Sequence, residues 1–222
     1  MNIAFVPLRA GSKAIPLKNI KPFCQKPLAY WCLKALKKSI NIEKIFVATD
    51  SKEIKSVINS FKFSKVNLYD RDAENADDNA STESVILEFL AQNNFNDKDF
   101  FFLVQATSPF TQTEDFDQAF ETIRNEKADS LLTCARTKRF IWNENGTPIN
   151  YDYKNRQKRQ DFKGTLVENG AFYINTVNNI IKFKNRLCGK IAVHEMKAFT
   201  EVEIDDEDDW IIAEKLMSKY II

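Results

Sequence analysis

The sequence predicts an α/β fold: a mostly parallel sheet with helices packed on both faces. Short apolar runs alternate with segments of helical spacing, the pattern of repeated βα units. The runs at 3–6 and 100–104 are apolar throughout, as strands covered on both faces must be. The runs also stop at polar or charged residues, namely Arg9, Asp50, Arg71 and Gln105. In such sheets ligands bind beyond the carboxyl ends of the strands, so this edge is where a site is expected.

The elements follow in order. Residues 3–6 form the first strand. Residues 28–38 place Leu28, Trp31, Cys32, Ala35 and Leu36 on one helical face. Residues 45–49 form the second strand, ending at Asp50. Ser51 and Glu53 open a helix that runs to about residue 61. Residues 65–69 give a short third strand. Residues 82–92 are helical, with Val85, Ile86, Phe89 and Leu90 inward and Ser81 or Thr82 as cap. Residues 100–104 are a strand, 116–126 a helix, and 129–134 another strand. After an excursion, residues 167–174 and 191–196 return as strands. Residues 201–205 alternate acidic and apolar, so an extended chain there puts Glu203 and Asp205 on one face. Residues 208–220 close the chain as a helix that buries Trp210, Ile211, Ala213 and Leu216.

Composition narrows the function classes. With 222 residues the chain can hold one sizeable domain, or one domain with a small insertion. Lys and Arg total 32 against 31 Asp and Glu, which argues against a nucleic-acid or membrane-surface protein. The charge is clustered instead, basic near the start and acidic over residues 205–209. Cys24, Cys32, Cys134 and Cys188 lack C-x-x-C spacing, and one histidine, His194, makes neither a zinc constellation nor a Ser-His-Asp triad. His194 is expected in a strand or on the surface. Scattered thiols fit a reducing compartment. Met1 leads straight into a core strand with no leader pattern, and no apolar run reaches membrane-spanning length. The expectation is a cytoplasmic protein.

The loop after the first strand carries the strongest functional signal. Arg9, Gly11, Ser12, Lys13 and Lys18 follow an apolar strand, and such a loop can receive phosphate. Gly11 allows close backbone approach, inward N–H groups make an anion nest, and the cations add charge. The spacing is neither a P-loop nor G-x-G-x-x-G. Residues 137–162 break the βα pattern. Trp142, Tyr151 and Tyr153 lie among turns, and Arg156, Lys158 and Arg159 make the stretch basic. It reads as an inserted β-hairpin, either an arm whose aromatics pack against a partner subunit or an ordinary surface hairpin.

Taken in order, these motifs resemble the N-acylneuraminate cytidylyltransferases, or CMP-sialic acid synthetases. Residues 6–19, Val-Pro-Leu-Arg-Ala-Gly-Ser-Lys-Ala-Ile-Pro-Leu-Lys-Asn, are similar to that family's opening motif. The resemblance continues through Val47-Ala48-Thr49-Asp50-Ser51, residues 69–76 and residues 78–82. It continues in Leu103-Val104-Gln105-Ala106-Thr107-Ser108-Pro109, Arg159-Gln160, Asn169-Gly170-Ala171-Phe172-Tyr173-Ile174 and Glu203-Ile204-Asp205. It spans nearly the whole length. Leu8, Ala14 and Glu203 depart from the usual residues, and Asp70 and Asp72 flank Arg71 where Arg-Pro is usual.

The resemblance implies a Rossmann-like, GT-A-like nucleotidyltransferase over residues 1–222, with 137–162 as the dimerisation arm of a homodimer. It implies transfer of CMP from CTP to a nine-carbon α-keto acid sugar, a sialic acid or a legionaminate or pseudaminate relative, with pyrophosphate released. Arg9 and Lys18 are the expected catalytic residues, Lys18 acting at the α-phosphate. Arg9, Gly11, Ser12, Lys18, Asn19, Arg71, Ser81 and Thr82 would bind the nucleotide. Gln105, Arg159, Asn169, Gly170, Tyr173 and Lys138 would bind the sugar, with Arg159 and Lys138 serving across the dimer. Glu203 and Asp205 would hold Mg²⁺, and residues 206–209 are read as a solvated helix start. A 3-deoxy-manno-octulosonate cytidylyltransferase or another sugar nucleotidyltransferase is the second reading, and a non-catalytic nucleotide-binding domain the third.

Overall fold

The computed structural model describes residues 1–11, 14–72, 75 and 81–222. Seven strands form one sheet in the order β5-β4-β1-β6-β8-β7-β9. They are β1 Asn2–Pro7, β4 Lys44–Thr49, β5 Val66–Asp70, β6 Phe100–Val104, β7 Ser130–Thr137, β8 Thr165–Thr176 and β9 Ile191–Met196. A two-stranded ribbon, β2 Pro22–Phe23 with β3 Lys26–Pro27, lies outside it. Strand β1 pairs in parallel with β4 and β6, β4 with β5, and β7 with β9. Only β8 runs against its neighbours, so the sheet is mostly parallel, as the alternation predicts.

Helices cover both faces because each buried strand points alternate side chains to opposite sides. In β1, Ala4 and Val6 face α1 Leu28–Lys38, α2 Lys52–Ser60 and α4 Thr113–Glu126. Ile3 and Phe5 face α3 Thr82–Gln92 and α5 Val177–Phe183. A third cluster forms where α6 Glu207–Tyr220 packs Trp210, Ala213 and Met217 onto Ile15, Phe23, Leu28, Phe110 and Ile204. His194 sits buried on β9, 3.6 Å from Asp115. The four cysteines are free. Among the described residues no helix is long and apolar enough to cross a membrane.

Three expectations need correction, and one helix lies outside the pattern. Residues 202–205 are extended coil after a 3-10 turn, Ala198–Glu201, and pair with no strand. The alternation there reflects one buried residue, Ile204, between carboxylates. In α6 the inward stripe is Trp210, Ala213 and Met217, while Ile211 is exposed and Leu216 half-buried. The spacing i, i+3, i+7 leaves Ile211 on the outer side of the helix. In the excursion, hairpin pairing is confined to the Trp142–Pro148 bridge around an Asn143–Thr147 turn. Beyond it the chain turns without strands, held by rings such as Phe140 on Tyr151, centroids 4.2 Å apart. The pattern also misses α5, whose single turn pair is too short to show a period.

Phe89 is the centre of the α3 face, with ring centroids of Phe5, Phe46, Tyr69 and Phe95 at 4.8, 4.9, 4.9 and 5.4 Å. Phe89→Ala is expected to destabilise by about 3–5 kcal/mol in urea unfolding. Ile40→Ala, at an 86% exposed position, should stay within about 0.5 kcal/mol of the parent.

Candidate active site

A cleft of about 440 Å³ opens at the carboxyl edge of the parallel strands. Its walls are Pro7, Arg9, Lys18, Asn19, Arg71, Ser81, Thr82, Val85, Gln105, Ala106, Thr107, Glu203 and Asp205. Nine of the residues singled out from sequence thus meet in one place, from segments far apart in the chain.

The cationic side is built from three elements. β1 delivers Arg9 directly at its end. The chain then turns through Leu17, which stands in the left-handed region at φ 50°, into a 3-10 turn, Lys18–Ile20. That backbone is strained for leucine, and the N–H groups of Ile20 and Lys21 hold it by donating to the Leu17 carbonyl at 2.9 and 3.1 Å. Asn19 is buried and its amide donates to the Arg9 carbonyl at 3.0 Å, tying the two halves of the loop together. Arg71 leaves β5 half-buried, its guanidinium held below the usual range by burial, with Asp50 and Glu88 opposing and Arg9 adding repulsion. Ser81 caps α3 by accepting from the Ser84 N–H at 3.0 Å, so the positive end of a helix also faces the cleft.

The acidic side depends on a bulge in β8. Leu132 pairs with Tyr173, but Cys134 pairs with Glu168, so β8 carries extra residues over 169–172. The Thr133 hydroxyl fills the gap, donating to the Phe172 carbonyl at 3.2 Å and accepting its N–H at 3.3 Å. Gly170, at φ +63°, sits on this bulge, and a Cβ there would lie 3.2 Å from Glu203 Oε2. Asn169 is buried, and its amide donates to Thr200 Oγ1 at 2.9 Å. It therefore fixes the turn that leads into Glu203 and does not turn its side chain to the cleft. Glu203 accepts from the Thr107 hydroxyl at 2.8 Å. Burial pushes its carboxyl above the usual range, against the Thr107 bond, and the charge of Asp205 adds to the rise. Lys18 Nζ donates to the Ile204 carbonyl at 2.7 Å and lies 3.4 Å from Asp205 Oδ1.

Other expected residues fall elsewhere. Gly11 is exposed on the loop, and Ser12 lies outside the described residues. Tyr173 is buried on β8, donating to Glu168 and carrying the Arg186 guanidinium 4.9 Å above its ring. Lys138 and Arg159 line a separate basic basin with Arg139, Phe140, Trp142, Tyr151, Arg156 and Lys158.

The sequence model of the cytidylyltransferase family matches residues 3–219. The chain belongs to the cytidylyltransferase family. It is 34% identical to an N-acylneuraminate cytidylyltransferase of Oncorhynchus mykiss over 98% of this chain and 50% of that protein. It is 29% identical to a pseudaminic acid cytidylyltransferase of Campylobacter jejuni over 79% of this chain and 78% of that one. The chain spans about half the length of the vertebrate relatives it matches. In fold it is similar to a CMP:2-keto-3-deoxy-manno-octonic acid synthetase solved with CTP, with TM-score 0.74, 14% identity and 99% of each chain covered.

Sequence reasoning missed Thr107 as a site residue in this cytidylyltransferase fold, although it stands in the Gln105–Pro109 motif. Its role shows only when residues 202–205 are seen folding back onto it. Gly170→Ala is expected to destabilise by about 1–2 kcal/mol in urea unfolding, from left-handed strain plus crowding of Glu203. Placed on a Glu203→Ala background the loss should shrink, since only the strain is left.

Proposed function

We propose that this chain transfers CMP from CTP to the anomeric hydroxyl of a nine-carbon α-keto acid sugar and releases pyrophosphate. The observation that carries this reading is the cleft itself. Arg9, Lys18, Arg71 and a helix start face Glu203 and Asp205 across about 440 Å³, in a chain of the cytidylyltransferase family. Both the sialic acid and pseudaminic acid relatives support a nine-carbon acceptor.

In this reading the sugar hydroxyl oxygen attacks the α-phosphorus. The bond to the β-phosphate oxygen breaks, pyrophosphate leaves with the electron pair, and the hydroxyl proton is lost to solvent or a base. Such a reaction is driven mostly by positioning and charge neutralisation. Lys18 has three N–H donors and uses its protein partners to fix the ammonium in place, leaving a donor for the α-phosphate. Arg9 and Arg71 neutralise the remaining phosphate charge, Asn19 contacts the nucleotide, and Ser81 and Thr82 hold it from the start of α3. Gln105, at the end of β6, hydrogen-bonds the sugar, with the bulge at Gly170 close behind.

Magnesium fits the acidic side. Glu203 has one oxygen occupied by Thr107 and one turned towards the Gly170 bulge, and Asp205 is largely exposed. Two hard carboxylates, with triphosphate oxygens and water completing the shell, make the usual surroundings of Mg²⁺. Bound there, the ion would supply charge stabilisation for the phosphates.

We also read the protein as a cytoplasmic homodimer. Trp142, Ile149 and Tyr153, at 46%, 56% and 55% exposure, give the excursion an apolar surface beside its basic basin. Lys138 and Arg159 then serve the sugar carboxylate in the second copy's cleft.

Pyrophosphate release from CTP with Mg²⁺ and a panel of nine-carbon keto acids, with an eight-carbon acid as control, tests the activity. Turnover with a nine-carbon acid is the expected result. CTP binding with silence across the panel would point to another acceptor or to a non-catalytic domain. Lys18→Ala should lower kcat by about 10²–10³ while the circular dichroism spectrum is unchanged. Chelation of divalent cations should abolish turnover, and Asp205→Asn should raise the Mg²⁺ needed for half-maximal rate.

The dimer is tested by sedimentation, where Trp142→Ala with Tyr153→Ala should shift the chain to monomer. Mixing inactive Lys18→Ala and Arg159→Ala chains should restore part of the activity. No recovery on mixing would place Arg159 outside the partner's site.

A further inference from the structure

We infer that Glu88 is a positioning residue for Arg71, and through it for the phosphates of bound CTP. The inference rests on reading the cleft as a CTP site. Glu88 lies on α3 two turns beyond Ser81 and is not part of the cleft wall. Its carboxylate accepts three hydrogen bonds, all from the segment that carries Arg71. The Tyr69 hydroxyl donates to Oε1 at 2.6 Å, the Asp72 N–H to Oε1 at 3.0 Å, and the Asn75 amide to Oε2 at 2.5 Å. Asn75, held in this way, offers its carbonyl to the Arg71 guanidinium. One turn further along α3, Gln92 donates to Asp72 Oδ2 at 2.9 Å and so braces the same segment.

Arg71 needs this support. It is half-buried, Arg9 repels it, and its Nε has no hydrogen-bond partner among the described residues. A guanidinium in that position moves towards solvent unless something holds it. Glu88 does so twice over, by its charge and by the carbonyl it orients. Its own carboxyl is pushed up by burial, but the bonds from Tyr69, Asp72 and Asn75 and the charge of Arg71 outweigh this and keep it below the usual range. Asp50, at the end of β4, is the larger favourable charge on Arg71, and Glu88 is the next.

Glutamine in place of Glu88 removes the charge that favours Arg71. Three donors converge on two carboxylate oxygens, while the isosteric amide has one oxygen. An amide oxygen in the Oε1 position keeps the Tyr69 and Asp72 bonds, and its NH₂ then meets Asn75 favourably only if the Asn75 amide turns over; in every arrangement the charge opposite Arg71 is lost.

The test is a double-mutant cycle on CTP affinity, read by calorimetry and joined to steady-state kinetics. Glu88→Ala and Glu88→Gln should each weaken CTP binding about tenfold, the size expected when one charge-assisted contact to phosphate is lost. KM for CTP should rise while KM for the sugar stays unchanged. Arg71→Ala combined with Glu88→Ala should bind CTP no more weakly than Arg71→Ala alone. Wild-type affinity in Glu88→Gln overturns the inference, and so do losses that multiply in the double variant, because Glu88 then acts independently of Arg71. If Glu88→Ala does not fold, the same cycle run with Glu88→Gln decides the matter. A wild-type chain that binds no CTP overturns the reading of the cleft and this inference together.

Discussion

Both backbone groups of Ile204 are held from opposite sides, and the cleft depends on that. Its N–H donates to the Thr107 carbonyl at 3.0 Å, and its carbonyl accepts from Lys18 at 2.7 Å. Its side chain is fully buried against Trp210 and the cluster under α6. One residue thus joins the loop after β1, the loop after β6 and the end of the chain. Because side chains alternate along an extended segment, burying Ile204 turns its two neighbours, Glu203 and Asp205, to the other side, into the cleft. The acidic wall follows from an apolar anchor.

That wall faces groups whose protonation is shifted in the complementary sense. Burial raises the carboxyl of Glu203 and lowers the guanidinium of Arg71. Each shift means that the charged form is under-stabilised in the protein alone. A triphosphate beside Arg71 and a cation beside Glu203 would each relieve one of these penalties, so the electrostatics of the cleft suit a charged ligand with its counter-ion. Thr107 holds Glu203 by a hydrogen bond at 2.8 Å, while Lys18 already pairs with Asp205 across the cleft at 3.4 Å.

Most of the fold is legible in the sequence, because long buried strands and amphipathic helices carry their periods openly. Residues 28–38, 82–92 and 100–104 are bounded in the structure where the spacing puts them. The cleft is legible too, through its position: Arg9, Arg71 and Gln105 end strands of one parallel set, and topology alone brings such ends together. What the pattern hides is set by tertiary contact. The alternation at 201–205 is that of a strand, yet the segment pairs with no strand and is anchored by a side chain. Asn169 stands in a motif that resembles a sugar contact, but its amide is spent on Thr200. The bulge it belongs to is announced only by Gly170, whose positive φ few other residues tolerate.

Arg71 shows why a charge pattern does not by itself disclose its support. The sequence places Asp70 and Asp72 beside it, and either looks like the partner. In the structure Asp70 pairs with Lys55, and Asp72 contributes its backbone N–H to Glu88. The charges that steady Arg71 come from Asp50, at the end of β4, and from Glu88 on α3, the helix whose N-terminus also faces the cleft. A single rigid element therefore sets the helix start, through Ser81 and Thr82, and the arginine, through Glu88. Parallel sheets make this economy available, because a crossover helix begins at the ligand edge and runs back alongside the strands. Positive potential then converges on the cleft from a loop, a strand end and a helix start, and no glycine-rich phosphate motif is required.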